Sequence, residues 1–449
     1  MRVTRRGFLQ CAAGAAGATL TAGACGSSDP SCGPGGANGS AGGCAPGLPD
    51  GPYFDQLAQD LDAAGIGTPQ ILIDLDRLDA NADAIVAGIG QARYRIVEKS
   101  LPSIDLLGYV SNRTGSDRFL VLHLPFLPAI LAGLPAAQVL VGKPQPIAAV
   151  RQFFQSFPPS DWPAIAGRVR FLADTPKRIA ELVQLASNVS LSLQVGVEID
   201  VGLHRGGVRT PDDLPDVLSV FAANPALVSF AGMLGYDGHV ANAPAPPGLE
   251  AYTARQQWKT ATATYQAFVD VLARQFPSLV RDDLVFNSGG TATYPLYQSG
   301  PVNDVAAGGG MLRSASYPDT FLGALSPASF IAAPVLAHYD SVELPLLRNV
   351  SKTVWSDQQM FTIYGGGWAA EFAWPPGAGL APLVNDPENE NLVPNQTWLV
   401  GPKSPPVRPD DWIFQHPREA DAIFQFEDIL LVRGGRLQPS SWKAFPRRY

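Results

Sequence analysis

From residue 68 onward, short apolar runs alternate with stretches in which apolar residues recur every three or four positions. The runs Ile71–Leu75, Arg93–Glu98, Arg118–His123, Gln138–Val141, Val169–Ala173, Ser190–Ile199, Val228–Leu234, Leu284–Asn287 and Asp304–Ala307 are brief and rich in branched and aromatic residues, which predicts buried strands. Between them, Ile147–Phe157, Pro176–Ala186, Leu214–Ala223 and Glu250–Phe276 carry the period of amphipathic helices. Such alternation predicts parallel βαβ units. With the first strand set aside, the strands are enough to close a (β/α)8 barrel, so the fold class expected over 66–320 is an α/β TIM barrel. After about residue 325 the runs shorten to Val335–Tyr339, Met360–Tyr364, Thr397–Val400 and Ile429–Val432, punctuated by Pro and Gly. That texture predicts a C-terminal all-β domain over 325–449.

The beginning of the chain follows neither pattern. Thr4-Arg5-Arg6-Gly7-Phe8-Leu9-Gln10 resembles a twin-arginine export signal, and the Ala/Gly/Leu stretch after it, to Ala24, is too short and glycine-rich to span a bilayer. Leu20-Thr21-Ala22-Gly23-Ala24-Cys25 resembles a lipoprotein cleavage box. Residues 1–25 are therefore expected to be a signal and Cys25 a lipid anchor, leaving the mature chain in the periplasm or tethered to the outer side of the inner membrane. Residues 26–60 are expected to be a flexible Gly/Ser-rich linker. Cys32 and Cys44 either pair in that oxidising compartment or are incidental thiols.

Composition narrows the chemistry. All four cysteines precede residue 50, which excludes a thiol nucleophile or a cysteine metal cluster in the folded body. His123, His204, His239, His338 and His416 are too scattered for helical zinc-ligand spacing. The net charge of −8 lacks the positive excess that nucleic-acid binding requires.

Barrel chemistry gathers at the C-terminal ends of strands. The ends here hold Lys99, then Glu198-Ile-Asp200-Val-Gly-Leu-His204-Arg205-Gly-Gly207, then Gly235-Tyr236-Asp237-Gly238-His239, then Ser288-Gly289-Gly290-Thr291, then Gly308–Gly310. A partly desolvated lysine amine at such a mouth can form a Schiff base. Hydroxyls and unobstructed backbone N–H groups after the last two barrel strands can cradle a phosphate. A Schiff-base lysine opposite a phosphate cradle points to pyridoxal phosphate.

These motifs, in this order, together with Thr68-Pro-Gln-Ile-Leu-Ile-Asp-Leu-Asp76 and Arg95-x-x-x-Lys99-Ser100, resemble the D-threonine aldolase / D-serine dehydratase group of alanine-racemase-like enzymes. The resemblance covers about 66–320 and implies a pyridoxal-phosphate barrel with a C-terminal β-domain that the first strand joins, usually as a homodimer. Carried onto this sequence, it implies that Lys99 holds the cofactor and acts as a base, with Arg95 beside it as a neighbouring positive charge. Arg205 would approach the ring's phenolic oxygen, Tyr236 would line the ring, and Ser288, Gly289, Gly290 and Thr291 would hold the phosphate. His239 would lie near the substrate; for it and for His204 a hydrogen-bonded structural imidazole is the alternative reading. Glu198 and Asp200 are either catalytic or salt-bridge partners at the barrel mouth.

One departure stands out. The family's C-terminal metal-binding His and Cys are replaced at the comparable place by Pro439-Ser-Ser-Trp-Lys443, with His416 upstream, so a divalent metal is left without assigned residues. The function expected is that of an exported lyase acting on small D-3-hydroxy amino acids. The alternatives are a racemase, with Tyr364 as a candidate second base or simply a packed strand tyrosine, and a non-catalytic carrier of the cofactor or another ligand.

Overall fold

The computed structural model describes residues 47–344, 348–381 and 395–446; the export signal, Cys25, Cys32 and Cys44 lie outside them. Strand β1 (Gln70–Asp74) stands apart from the eight that follow. These are β2 (Arg93–Val97), β3 (Arg118–Val121), β4 (Gln138–Val141), β5 (Val169–Ala173), β6 (Leu193–Glu198), β7 (Val228–Gly235), β8 (Val285–Ser288) and β9 (Asp304–Ala307), and they close a parallel barrel in chain order. Helices such as Ile104–Thr114, Pro176–Val189 and Glu250–Gln275 occupy the connections. Thr175 caps the second of these by accepting from the N–H of Arg178, with Pro176 in its first turn.

Several strand limits differ from the expected ones, β3 for example ending at Val121 rather than His123, and two of the differences have a local cause. Ser190 closes the preceding helix in a left-handed conformation (φ 53°), so β6 starts at Leu193. Strand β2 stops at Val97, and Glu98–Ser100 turns into a 3₁₀ helix that carries Lys99.

The barrel has two apolar layers. The larger lies between strands and helices. Inside the barrel, Leu120, Leu140, Leu172, Leu234 and Val285 form a separate plug, one inward-facing residue on each of five strands.

The remaining strands are β10 (Ser329–Tyr339), β11 (Gln358–Tyr364), β12 (Ala370–Trp374), β13 (Gly379–Leu380), β14 (Gln396–Pro402), β15 (Trp412–Pro417), β16 (Asp428–Arg433) and β17 (Arg436–Lys443). They form a sheet in the order β13-β14-β11-β10-β1-β16-β17, with β15 also on β10 and β12 on β15. Strand β1 joins it between β10 and β16, Ile71 facing Ile331 on one side and Ile429 on the other. Among the described residues, a short α-helix, Arg348–Val354, and a 3₁₀ helix, Ala420–Gln425, interrupt the β texture. Phe126 of the barrel stacks on Phe445 (centroids 4.7 Å) and on Phe424 (5.7 Å), which fixes the β-domain against the barrel mouth.

The expected linker over 26–60 is corrected at its end, because Gly51–Ala63 is a helix. Asp50 accepts from the Tyr53 N–H, Pro52 sits in the first turn, and Phe54, Leu57 and Leu61 are fully buried against Leu72, Phe330 and Phe414. The apolar stripe is real but short, and the Gly and Pro residues before it hide it in the sequence.

Candidate active site

A cavity of about 440 Å³ opens at the C-terminal ends of the barrel strands. Leu120 and Leu234 of the inner plug form its floor, the loops after the strands form its sides, and Ser316–Pro318 with Glu419 close it from the β-domain side.

Lys99 lines this cavity. The turn that carries it is anchored by its neighbour Glu98, which is fully buried. The Glu98 carboxylate accepts from the N–H groups of Leu122 (3.1 Å) and His123 (3.4 Å), and its other oxygen lies 2.9 Å from His123 Nδ1. Lys99 itself is exposed to the cavity and, among the described residues, forms no ion pair or hydrogen bond. A second lysine, Lys143, follows β4 into the same cavity, but its Nζ lies 2.6 Å from the nearly buried Glu198. One amine therefore has a counter-ion and the other does not.

Beside the Lys99 turn rather than opposite it, since β9 pairs directly with β2, the chain is stripped of side chains. Gly289, Gly290 and Thr291 follow β8 and Gly308 and Gly309 follow β9, all lining the cavity. A Cβ on Gly309 would come 2.3 Å from the Tyr317 hydroxyl, and one on Gly308 2.7 Å from Val97 Cβ, so only glycine leaves this backbone accessible. Gly289 also adopts φ 84°, which favours glycine. Thr291 Oγ1 accepts from the Gly310 N–H at 3.0 Å and ties the two loops together.

Two further groups shape the wall. The Arg205 guanidinium lies 4.9 Å over the Tyr236 ring, a cation–π pair at the cavity's edge. Asp237 is fully buried, accepting from Tyr297 (2.8 Å) and Thr293 (3.1 Å). Burial pushes its carboxyl up to about 6, against the pull of those two donors.

The structure thus brings Lys99, Arg205, Tyr236, Gly289, Gly290 and Thr291 into one cavity. Other expected residues lie elsewhere. Arg95 is fully buried below the cavity, bound to both oxygens of Asp304 (2.6 and 2.9 Å) and to the carbonyls of Phe119 and Gln138. Val97 already reaches the cavity, and two residues back along a strand is roughly 6–7 Å deeper. Arg95 is thus a structural ion-pair partner and does not line the cavity beside Lys99. Ser288 follows the inward-facing Asn287 and so points outward, its hydroxyl engaged by the Gly235 carbonyl (2.6 Å) and Tyr297 (2.8 Å). His239 packs against Gly202 behind the wall rather than in it, with its Nδ1 buried and unpartnered. Burial lowers its basicity.

The open alternatives resolve toward ion pairs. Glu198 holds Lys143, and Asp200 holds His204 and Arg209, each at 2.8 Å. Tyr364 ends β11, exposed, and does not line the cavity. His416 is buried with Nε2 2.7 Å from the Arg313 carbonyl, and Pro439–Lys443 lies in β17. Among the described residues, no three His, Cys, Asp or Glu side chains gather in a way that could hold a metal.

Several cavity residues escape a reading of strand ends. Lys143 lies two residues past β4, an end that carries no recognisable motif. Asn287 is marked only by strand alternation. Asp237 sits within a motif but beside the more conspicuous Tyr236, and Tyr317 and Glu419 come from distant segments.

Comparisons with known proteins agree with this geometry. The family model described as "Alanine racemase, N-terminal domain" matches residues 73–305. D-threonine aldolase from Filomicrobium marinum superimposes with a TM-score of 0.65 at 16% identity, covering 84% of this chain and 97% of that one. D-threo-3-hydroxyaspartate dehydratase from Delftia sp. HT23 gives 0.64 at 16%, covering 85% and 98%. Alanine racemase from Bacillus anthracis with bound L-Ala-P gives 0.59 at 14%, covering 84% and 98%. No curated protein sequence matches the chain.

Proposed function

Since the chain belongs to the alanine racemase N-terminal domain family, of the fold type III class of pyridoxal-phosphate enzymes, we propose that it is a pyridoxal-phosphate lyase acting on small D-3-hydroxy amino acids by aldol cleavage or dehydration. The observation that carries this reading is the unpaired Lys99 amine in a cavity whose adjoining wall, after β8 and β9, is bare glycine backbone. The residues fit the cofactor. The cavity has the volume of a small-molecule site, and Gly289, Gly290, Gly308 and Gly309 line it with backbone free of side chains, as a phosphate group needs. When bound, pyridoxal phosphate supplies an electron sink for the bonds at the substrate's α-carbon.

This chain's own groups would do the rest. Lys99 would hold the cofactor through its amine and move the proton at the substrate. Lys143, already paired with Glu198, would keep a positive charge in the wall without competing for that role. Gly289, Gly290 and Thr291, with Gly308 and Gly309, would offer N–H groups to the phosphate. Arg205 and Tyr236 would flank the ring as a stacked pair. Glu419, from the β-domain, would help to close the site over the substrate.

The lyase reading is placed ahead of a racemase on the two lyases named above, which superimpose with TM-scores of 0.65 and 0.64 against 0.59 for the alanine racemase. Purified protein is expected to absorb visible light as a Schiff base, and Lys99→Ala to abolish the band. Incubation with D-threonine, D-serine and D-alanine then separates glycine plus aldehyde, oxoacid plus ammonia, or inversion. No turnover of any of them would favour a carrier, and a colourless wild type would remove every pyridoxal reading. We also take residues 1–25 as an export signal that places the enzyme on the periplasmic side, lipidated at Cys25, and the enzyme as a homodimer. Fatty-acid labelling that Cys25→Ala abolishes, and a solution mass of two chains, are the expected results.

A further inference from the structure

The barrel has a second accumulation of charge at its opposite end. Arg118 and Arg170 lie two residues before the plug residues Leu120 and Leu172, so strand alternation turns both inward below the plug. Arg95 enters from β2 and Asp304 from β9, both fully buried. The Asp304 carboxylate is already engaged by three hydrogen bonds. One oxygen accepts from Arg95 and Asn287, each at 2.6 Å, and the other from Arg95 again at 2.9 Å.

The other two guanidinium groups are not matched. Arg118 comes no nearer than 3.6 Å to Asp304. Arg170 has its Nε buried without a hydrogen-bond partner, and among the described residues its guanidinium forms no ion pair. The charges around it are Arg95 and Arg118, which repel it, and Asp304 and Asp283, which attract it. Asp283 is held by Arg281 at 2.9 Å. Arg93 and Asp117 also act on Arg118, in opposite directions. Desolvated positive charge therefore exceeds the carboxylates free to meet it, and a buried N–H without an acceptor is unfavourable.

We propose that the lower end of the barrel is a binding site for a small tetrahedral oxyanion, inorganic phosphate or sulfate, held by Arg170 and Arg118. Guanidinium forks match such an anion with paired N–H donors, and its oxygens supply the acceptors that Asp304 cannot. Arg118 remains 27% exposed, which gives the anion a route from solvent. The plug residues Leu120 and Leu172 lie between Arg118 and Arg170 and the upper cavity, while Asn287 of that cavity reaches down to Asp304, and the proposal does not depend on the function proposed for the cavity.

The test is the melting temperature of the purified full chain, titrated with sodium sulfate and separately with inorganic phosphate, sodium chloride keeping the ionic strength constant. Wild type is expected to show a saturable rise. Arg170→Met is expected to lose it, and Arg118→Met to weaken the apparent affinity about tenfold, the loss of one charge-assisted contact. Gly309→Ala, which alters only the upper cavity, is expected to keep the rise and so separates this anion from one bound at the glycine loops. If Arg170→Met does not fold, Arg170→Lys retains the charge without the fork and should bind more weakly. A rise in either Arg170 variant equal to that of wild type, or no saturable rise beyond chloride, would overturn the proposal. Sulfate and phosphate responding alike identifies the general oxyanion, and a response to phosphate alone identifies phosphate as the ligand.

Discussion

Arg95 and Lys99 lie four residues apart at the end of one strand, both basic and both inside the barrel, and the fold treats them in opposite ways. Arg95 is fully buried, and its guanidinium is matched to a carboxylate and two carbonyls. Lys99 faces an open cavity with no counter-ion among the described residues. Residue type and strand position do not tell these apart. What separates them is whether the partners of the charge are already present in the fold. A fully satisfied ion specifies structure, whereas an unsatisfied one at a cavity is available for chemistry.

Removing either side chain tests the contrast. Arg95→Met removes two charge-assisted hydrogen bonds from buried Asp304, leaving it Asn287 and the more distant Arg118, and should lower stability by about 3 kcal/mol, read from the midpoint of urea unfolding. A loss below about 1 kcal/mol would mean that Arg95 is not the structural partner described.

The next effect concerns Asp237, the buried acid of the upper end. Its folded-state pKa is raised from 3.8 to about 6 by burial. Below about pH 3 both folded and unfolded states hold the proton and nothing is lost. As pH rises through 4 to 6, the unfolded chain releases it first, so stability falls, and the loss is complete above the folded value. Stability of wild type relative to Asp237→Asn should therefore drop by about 3 kcal/mol between about pH 3 and 7, roughly two pKa units at about 1.36 kcal/mol each. Unfolding curves at a series of pH values check it, and parallel curves for the two proteins would contradict it.

Smaller changes follow at the glycine wall and at Lys99 itself. Gly309→Ala should weaken pyridoxal-phosphate affinity about tenfold, one hydrogen bond to a charged oxygen, measured by fluorescence titration. Lys99→Ala should leave the unfolding midpoint within about 0.5 kcal/mol of wild type, since the side chain is exposed and unpartnered. A large loss there would make Lys99 structural and erase the contrast.

Much of this architecture is legible in the chain. Strand–helix alternation gives the barrel, because buried parallel strands and amphipathic helices leave different periods. The pairing of β1 with β10 and β16 cannot be read from periodicity and came through the family resemblance instead. The Gly51–Ala63 helix was concealed by glycine and proline at its start. At the site, the glycine loops and Lys99 were legible because backbone exposure and strand-end position have sequence signatures. Arg95, Ser288 and His239 were misplaced for a common reason. Proximity in sequence does not give depth or facing, and in a strand one residue reverses the facing while two add a layer. Lys143, Asn287 and Tyr317 enter the cavity only through the closure of the barrel, which no local pattern encodes.

The central claim is that Lys99, and not Lys143, is the amine that captures the cofactor. Incubation with pyridoxal phosphate, borohydride reduction and peptide mass spectrometry test it directly. The expected result is a single pyridoxyl adduct on the peptide containing Lys99. An adduct on Lys143, or none on either lysine, would contradict the account.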